Sequence, residues 1–356
     1  MATPTETLGT ALRAVSRYAS RAQTLPLLYN RVRLHAYNDH LDVQATTIDL
    51  TVTATLPWQG SDLDVVVDRE SCATVPPTMA TVAGRDNMLV LTTADRQSSR
   101  RLAYEPLSPG NWPSEPDREW ALSERYSAEW LRHANYLAIV AKGAELERPL
   151  LGCVRQLPDG LVATDGYRAA FADVPGGMPV LLPAQLIRTA TPFLGKRDGV
   201  LTAYPHHIAM AREDGSRRVD CQVITGPYPP VAKALPRSCD TEVTVSRDAL
   251  RAGIGAVTVA TPPREPATML VTLSPNGTMC LLAKHGAVEH TMPVAIQRLG
   301  ANLRFAVNAR YVAYVLDGAG DTVSWQWNSH DEATVMQSGD YRHLIMPMWL
   351  DAAVSE

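Results

Sequence analysis

A surplus of positive charge is the first thing this sequence lacks. Against 37 Asp+Glu stand 33 Lys+Arg, a formal net charge of −4, so the chain is not a globally basic nucleic-acid binder and any such affinity has to be local. Lysine is scarce: Lys142, Lys196, Lys233 and Lys284 are the only ones, and arginine supplies the rest of the positive charge. Biased base composition produces that pattern as readily as function does. No stretch approaches the roughly 18 consecutive apolar residues of a membrane span. The opening Met1-Ala2-Thr3-Pro4-Thr5-Glu6-Thr7 lacks the basic-then-apolar pattern of a secretion signal, so a cytoplasmic location is expected. Cysteine is sparse and unpaired in pattern. Cys72, Cys153, Cys221, Cys239 and Cys280 are odd in number and scattered, with no C-x-x-C and no zinc spacing, which argues for inert thiols. The motifs of common catalysts are missing too. Gly195-Lys196 is followed by Arg197 and lacks the upstream glycine of a phosphate loop, and neither H-E-x-x-H nor G-x-S-x-G occurs. His206 and His207, adjacent in an expected strand, would point to opposite faces and suit a metal poorly. No cofactor and no metal are expected.

What is present is an ordinary globular composition, 46% apolar and 20% charged, long enough for two or three domains. It also carries a repeat. Leu12-Arg13-Ala14, Leu131-Arg132-His133-Ala134 and Leu250-Arg251-Ala252 each open an apolar-periodic segment, 119 residues apart both times (131 − 12 and 250 − 131). Each is followed by a strand and a tight turn: Leu28 to Tyr37 with Asn38-Asp39, Leu150 to Leu157 with Pro158-Asp159-Gly160, and Met269 to Ser274 with Pro275-Asn276-Gly277. These turn residues supply the backbone angles that close hairpins. Trp112-Pro113, Tyr228-Pro229 and Met346-Pro347 come late in each unit, in the same order. Long-period self-similarity of this kind defines the architecture before any local reading does. Leu41, Val43 and Ala45, then Ile48, Leu50, Val52, Ala54 and Leu56, alternate as in half-buried antiparallel strands, whereas Leu12, Val15 and Tyr18-Ala19 fall at helical spacing. Second helices are expected at Arg69 to Thr78, broken by Pro76-Pro77, at Pro183 to Leu194, and at Asn308 to Asp317 with Asn308 as N-cap. The expected fold is α+β: three domains, 1–119, 120–240 and 241–356, each with two helices on antiparallel sheet.

Local positive charge falls in the repeated first helices. Arg13, Arg17 and Arg21 are four apart, with no acid between Glu6 and Asp39, which places them on one helical face. The second helix offers Arg125, Arg132, His133 and Lys142, diluted by Glu124 and Glu129, and the third offers Arg247 and Arg251 beside Asp248. Singly, each row reads as a solvated face. Recurring in one element of three repeats, they would form a basic surface that attracts phosphates without reading base edges.

The segment Val162-Ala163-Thr164-Asp165-Gly166-Tyr167-Arg168-Ala169-Ala170, after Leu151-Gly152-Cys153-Val154, resembles the central signature of bacterial DNA polymerase III β subunits, the sliding clamps. Thr24-Leu25-Pro26-Leu27-Leu28 with Ala45-Thr46-Thr47-Ile48-Asp49-Leu50, Val307-Asn308-Ala309-Arg310-Tyr311 through Val315-Leu316, and Leu344-Ile345-Met346-Pro347-Met348 fit the same family in the same order, spanning residues 8 to 350. The resemblance implies a non-catalytic processivity factor. Two threefold-repeated subunits would join head to tail as a homodimer and close a six-domain ring around double-stranded DNA, without sequence specificity. It further implies a cleft that receives a short peptide motif from the DNA polymerase III α subunit, the clamp loader and repair polymerases. Carried over by position, the cleft comprises Leu151, Thr164, Gly166, Tyr167, Arg168, Ala169, Pro229, Lys233, Ala234, Asn308, Tyr311, Leu344, Met346, Pro347 and Met348. DNA contacts are expected at Arg13, Arg17, Arg21, Arg132, Arg247 and Arg251, and the resemblance adds Arg148 from the stretch 143–150. The subunit boundary maps to Leu102 and Tyr104 against the neighbourhood of Val259.

The sequence departs from the family pattern at the cleft. Tyr167-Arg168-Ala169 stands for His-Arg-Leu, Tyr228-Pro229-Pro230-Val231 for Phe-Pro-Asp-Tyr, and Met348-Trp349-Leu350 with the acidic tail 351–356 for a chain ending Met-Pro-Met-Arg-Leu. Two tyrosines common in relatives are Pro149 and Leu150. These departures motivate a second reading, a specialised or inhibitor-resistant clamp paralogue with an altered cleft, and leave open whether the tail competes with peptides. A third reading, an enzyme with Asp165 as catalytic acid, has to contend with the simpler role of Asp165 and Asp49 in orienting turns after strands, since no partner base is identified by spacing.

Overall fold

The computed structural model describes residues 6–21, 27–85, 88–107, 112–113, 121–142, 148–259, 261–262, 265–283, 288–301 and 303–349. Six α-helices lie among them: α1 (Leu8–Ser16), α2 (Arg69–Ala73), α3 (Ala128–Lys142), α4 (Ala184–Leu194), α5 (Arg247–Val259) and α6 (Ala309–Asp317). Every strand pairing is antiparallel. None of these helices is long and apolar enough to cross a membrane.

The element order recurs three times. α1, four strands from Arg31 to Asp68, α2 and three strands to Pro106 are followed by a lead-in strand Leu122–Tyr126, α3, four strands from Cys153 to Pro183, α4 and three strands to Gln222, and then by a second lead-in strand, Thr241–Ser246. The last third repeats the pattern with α5 and α6, except that its third strand is split at Val294 into Glu289–Pro293 and Ala295–Arg298. Those two pieces join different sheets.

By contacts the chain forms two compact units, residues 1–132 with 185–223 and residues 133–184 with 224–356, so the middle third is shared between them. The reason is strand pairing. In the first unit one eleven-stranded sheet runs through the first third and on into Arg217–Gln222, His207–Arg212, Gly199–Ala203 and Leu122–Tyr126. The seam is Leu50–Pro57 against Arg217–Gln222, with Val52 opposite Val219. In the second unit a nine-stranded sheet carries Leu181–Pro183, Cys153–Leu157, Gly160–Thr164 and Arg168–Ala172 onto Tyr341–Ile345 and the strands beyond it, and a separate four-stranded sheet lies in the last third.

Local chemistry explains most element ends. Thr7 caps α1 by accepting the Thr10 N–H at 3.3 Å, Asp68 caps α2 through Ser71 N–H at 3.0 Å, and Asn308 caps α6 through Arg310 N–H at 3.0 Å, each satisfying an orphan donor. α2 is shorter than its apolar pattern predicts. Its last turn closes on itself through the Thr74 hydroxyl to Ser71 O at 3.1 Å, three residues before Pro77. Strands expected from Leu28 and Leu150 begin instead at Arg31 and Cys153, each preceded by a one-turn 3₁₀ helix. Ile48 does not continue the alternation: it is exposed in the turn between strands, and core packing resumes at Leu50. His206 lies in a turn and only His207 enters the strand.

In the first unit α1 buries Leu8, Ala11, Leu12 and Val15 against the sheet. Glu6, just ahead of it, forms a two-toothed ion pair with Arg217, whose Nη1 also donates to Phe193 O at 2.7 Å and so satisfies a carbonyl at the end of α4. The core of the second unit centres on Trp325 and Trp327, both fully buried, with Phe305 edge-on to the first at 5.4 Å and tilted on the second at 4.9 Å. Truncating Phe305 removes a buried ring and two aromatic contacts, so Phe305→Ala should lower stability by about 3–5 kcal/mol, read as a shift in the denaturant midpoint.

Candidate functional site

The second unit gathers the residues of the expected cleft on the seam between its two chain segments. Strand Arg168–Ala172 pairs with Tyr341–Ile345 so that Ala169 lies opposite Leu344 and Arg168 opposite Ile345. Where the pairing ends, Met346 N–H donates to Tyr167 O at 2.9 Å, and Met348 N–H to Ala306 O at 2.8 Å. The chain after Ile345 is thereby laid beside the Gly166–Tyr167 turn on one side and the strand Arg304–Asn308 on the other. Beneath, Leu151, Val162, Ala169, Phe171, Tyr228, Ala333 and Leu344 form one buried apolar cluster, with Val231 and Leu235 packed at its edge. Pro229, Lys233 and Ala234 reach the same place through these neighbours, on the loop and 3₁₀ turn Val231–Ala234. Tyr228 is fixed by its hydroxyl, which donates to Cys153 O at 3.2 Å.

The turn after Gly160–Thr164 is braced by its own polar residues. Asp165 Oδ1 accepts the N–H groups of Tyr167 and Arg168, both at 3.0 Å, and its Oδ2 accepts Arg168 Nε at 3.0 Å. Thr164 Oγ1 donates to Arg168 O at 2.7 Å and accepts the Gly166 N–H at 3.1 Å. Gly166 has φ +92°, a left-handed value that other residues adopt only under strain. With both oxygens of Asp165 engaged, the turn-orienting role accounts for the carboxylate, and the catalytic-acid reading finds no support in the geometry. Asp49 sits likewise in a turn, where Gln222 N–H donates to its carbonyl at 3.0 Å.

Arg168, pinned at Nε, lays its guanidinium over Tyr311 at 4.5 Å and Tyr314 at 5.0 Å, a favourable stacking of cation on ring. Behind these rings lie residues that no sequence pattern singles out: Tyr136, Tyr341 and His343. Tyr136 stacks on Tyr314 at 4.6 Å, and its hydroxyl lies 3.2 Å from His343 Nε2. They come from α3 and a strand some 200 residues away, and only the pairing register brings them together.

The exposed surface completes the site. Among the described residues eight large hydrophobics are exposed, and three of them, Tyr167 at 59%, Met346 at 41% and Trp349 at 90%, belong to the two segments joined by the Met346–Tyr167 hydrogen bond. An adjoining hollow of about 350 Å³ is lined by Arg304, Phe305, Ala306, His330, Asp331 and Met346 through Trp349. Trp349 was visible in the sequence only as a departure, and the His330-Asp331 wall not at all. Methionine and aromatic walls around a few polar groups suit apolar peptide anchors. The tail 351–356, like most of 143–150 and Thr24 to Pro26, lies outside the described residues.

The expected DNA-contacting arginines are not alike. Arg13, Arg17 and Arg21 are exposed, and among the described residues none has an ion-pair partner. They do not share one helical face, however. α1 ends at Ser16, Arg17 is its C-cap, and Arg21 lies beyond, because Tyr18 turns to meet Phe193 edge-on at 5.3 Å and Ser20 N–H bonds Tyr29 O. The others spend charge locally. Arg132 lies 3.7 Å from Glu129, Arg247 bonds Asp248 at 3.1 Å, and Arg251 reaches Asp317 at 3.3 Å and Leu316 O at 2.8 Å. Arg148 lies against the cleft turn instead: a Cβ on Gly166 would come within 2.7 Å of its Nη1. Of the expected boundary residues, Leu102 is buried at 3% and its side chain offers no surface, because it packs in the sheet's own core opposite Leu89. Tyr104 is half-buried, and Val259 is 88% exposed.

Compared with solved structures, the chain is similar over nearly its whole length to DNA polymerase III subunit beta sliding clamps. The clamp of Pseudomonas aeruginosa bound to griselimycin is 20% identical, with a TM-score of 0.80 over 96% of this chain and 97% of that one. Those of Thermotoga maritima (17% identical, TM-score 0.81, 98% and 99% covered) and Bacillus subtilis (13%, 0.81, 96% and 97%) agree. No protein-family model and no curated protein matches the sequence. The architecture is therefore that of the sliding clamps, the α+β clamp fold with its paired helices and antiparallel sheets.

His343 carries a pH signature. Burial, with the charge of Arg168 adding to it, pushes its imidazole down to about 3 from an ordinary 6.5. The unfolded chain therefore binds a proton the folded one refuses, and stability present above pH 6.5 drains away as pH falls from about 6.5 toward 3. The melting temperature of the wild type should fall more steeply between pH 6.5 and 4 than that of His343→Gln; parallel profiles would place the imidazole in contact with water. Asp165→Ala should cost about 1–3 kcal/mol, because two backbone donors and the Arg168 Nε lose their acceptor, measured by denaturant unfolding.

Proposed function

We propose that this chain is a DNA sliding clamp: two copies joined head to tail close a ring around duplex DNA and tether a polymerase to its template. The observation that carries the reading is that the Met346–Tyr167 hydrogen bond joins two exposed hydrophobics at the end of the strand pair that buries Ala169 and Leu344 in one apolar cluster with Leu151, and the resemblance assigns all five residues to a peptide cleft. In this reading residues 1–119, 120–240 and 241–356 are three repeats, supported by the recurring element order, and six repeats make the ring.

The mechanism is topological and needs no catalytic group or cofactor in this chain. A closed ring cannot leave DNA sideways, so weak and salt-sensitive phosphate contacts suffice, and weak contacts let it slide. The unpaired charges of Arg13, Arg17 and Arg21 are the best placed of the arginines to provide them. Arg132, Arg247 and Arg251 would contribute less, since each is already neutralised in part. Arg148 serves the cleft rather than the DNA surface. Subunits would join through backbone: Ser99–Ala103 pairs with Met88–Thr92 on one side and has no strand on the other among the described residues. Such an edge accepts a partner strand; Tyr104 and Val259 would flank it.

The cleft would bind a short segment of the DNA polymerase III α subunit, of the clamp loader or of repair polymerases. A micromolar peptide needs only about −8 kcal/mol, which three or four buried anchors supply after ordering costs. Such a protein works in the cytoplasm, and no observation favours a specialised paralogue over it.

The test is encirclement. Loaded onto nicked circular DNA by its clamp loader, the protein should be retained and then lost once the circle is cut; equal retention on circle and linear fragment would refute the reading. Sedimentation should give a species near twice the 38.8 kDa chain mass.

A further inference from the structure

Arg168 has donors to spare. Its Nε is spent on Asp165, its plane rests on Tyr311 and Tyr314, and among the described residues no acceptor takes either Nη group. The side chain is 13% exposed and follows directly on Tyr167. A guanidinium held this way presents two donors in a fixed direction, provided the rings under it are fixed.

They are fixed from behind. Tyr136 on α3 and Tyr314 on α6 stack at 4.6 Å with 17° between planes, and each hydroxyl donates to the other's backbone carbonyl, Tyr136 to Tyr314 O at 3.0 Å and Tyr314 to Tyr136 O. Tyr136 Oη also lies 3.5 Å from Val315 O, which already accepts the Gly318 N–H at 3.3 Å, so the hydroxyl serves two neighbouring carbonyls at the end of α6. A hydroxyl has one proton. With that proton on Tyr314 O, His343 completes the network by donating its Nε2–H to Tyr136 Oη at 3.2 Å. Tyr341 covers the other side of the Tyr136 ring at 4.1 Å. Room for the ring is made at Gly318, the C-cap of α6, where a Cβ would stand 2.8 Å from Tyr136.

We propose that Tyr136, which lies outside the cleft, is a positioning residue for it: through Tyr314 it fixes the platform on which Arg168 presents its free donors to the backbone of a bound peptide. This rests on the peptide-cleft reading above. The contribution belongs to the hydroxyl, because Tyr136→Phe keeps the stack and removes only the links to the end of α6 and to His343.

The test uses the full chain and a fluorescent pentapeptide with leucine and phenylalanine anchors, binding being followed by anisotropy. Backbone hydrogen exchange is followed over Gly166–Arg168, whose amides are held by Thr164 and Asp165. Tyr136→Phe should weaken the peptide about 2- to 10-fold, the range one net hydrogen bond supplies, and speed exchange in that turn. Leu281→Ala, a cavity in the core beneath α5, should lower the melting temperature and leave both readouts unchanged. Wild-type affinity and wild-type exchange in Tyr136→Phe would overturn the proposal, as would an equal loss of affinity in Leu281→Ala. A wild type that binds no such peptide would instead sink the cleft reading, and the exchange rates would still decide whether Tyr136 holds the turn.

Discussion

The pairing of Arg168–Ala172 with Tyr341–Ile345 is the constraint from which the rest of the site follows. Because side chains alternate along a strand, a slip of one residue would turn Leu344 away from the apolar cluster and carry the polar His343 into its place. It would also carry Met346 off the Tyr167 carbonyl, and the three exposed hydrophobics would no longer share a surface. The register is secured at both levels that matter, by burial of Ala169, Phe171, Leu344 and Ile345 and by the turn that Asp165 braces before the strand begins.

Much of the fold was legible because its signals are local. The two-residue alternation of Leu41, Val43 and Ala45, the turn residues Asn38-Asp39 and Asn276-Gly277, and the cap at Asn308 all report on residues a few positions away, and all match the elements found. Element ends were less legible, because tertiary contacts set them. α1 stops at Ser16 not for want of helix formers but because Tyr18 and Ser20 have partners elsewhere, and with it goes the arginine face that four-residue spacing suggested.

For the site the division is sharper. The residues expected to form the cleft walls, among them Tyr167, Arg168, Met346 and Met348, could be named by resemblance, since they sit in recognisable segments. Their support could not. Tyr136, Tyr314 and His343 belong to three elements whose meeting is decided by sheet register and helix packing, and nothing in the neighbourhood of Tyr136 along the chain marks it out. Charge was misleading for the same reason: Asp248 beside Arg247 is visible in the sequence, but Asp317 comes within reach of Arg251 only once the helices are folded. Net positive potential depends on which acids fold nearby, not on how arginines are spaced.

The seam between Leu50–Pro57 and Arg217–Gln222 bears on how such a chain can be altered at all. Its threefold pattern invites treating each third as an interchangeable block, yet hydrogen-bonded ladders run straight through the nominal borders. Excising a third would bare the interior strands of a continuous sheet, with Val52 and Val219 stripped of each other and rows of backbone donors left open to any passing chain. The recurring element order is thus a pattern of geometry rather than of autonomy: the smallest piece that keeps every ladder whole is larger than the piece that repeats.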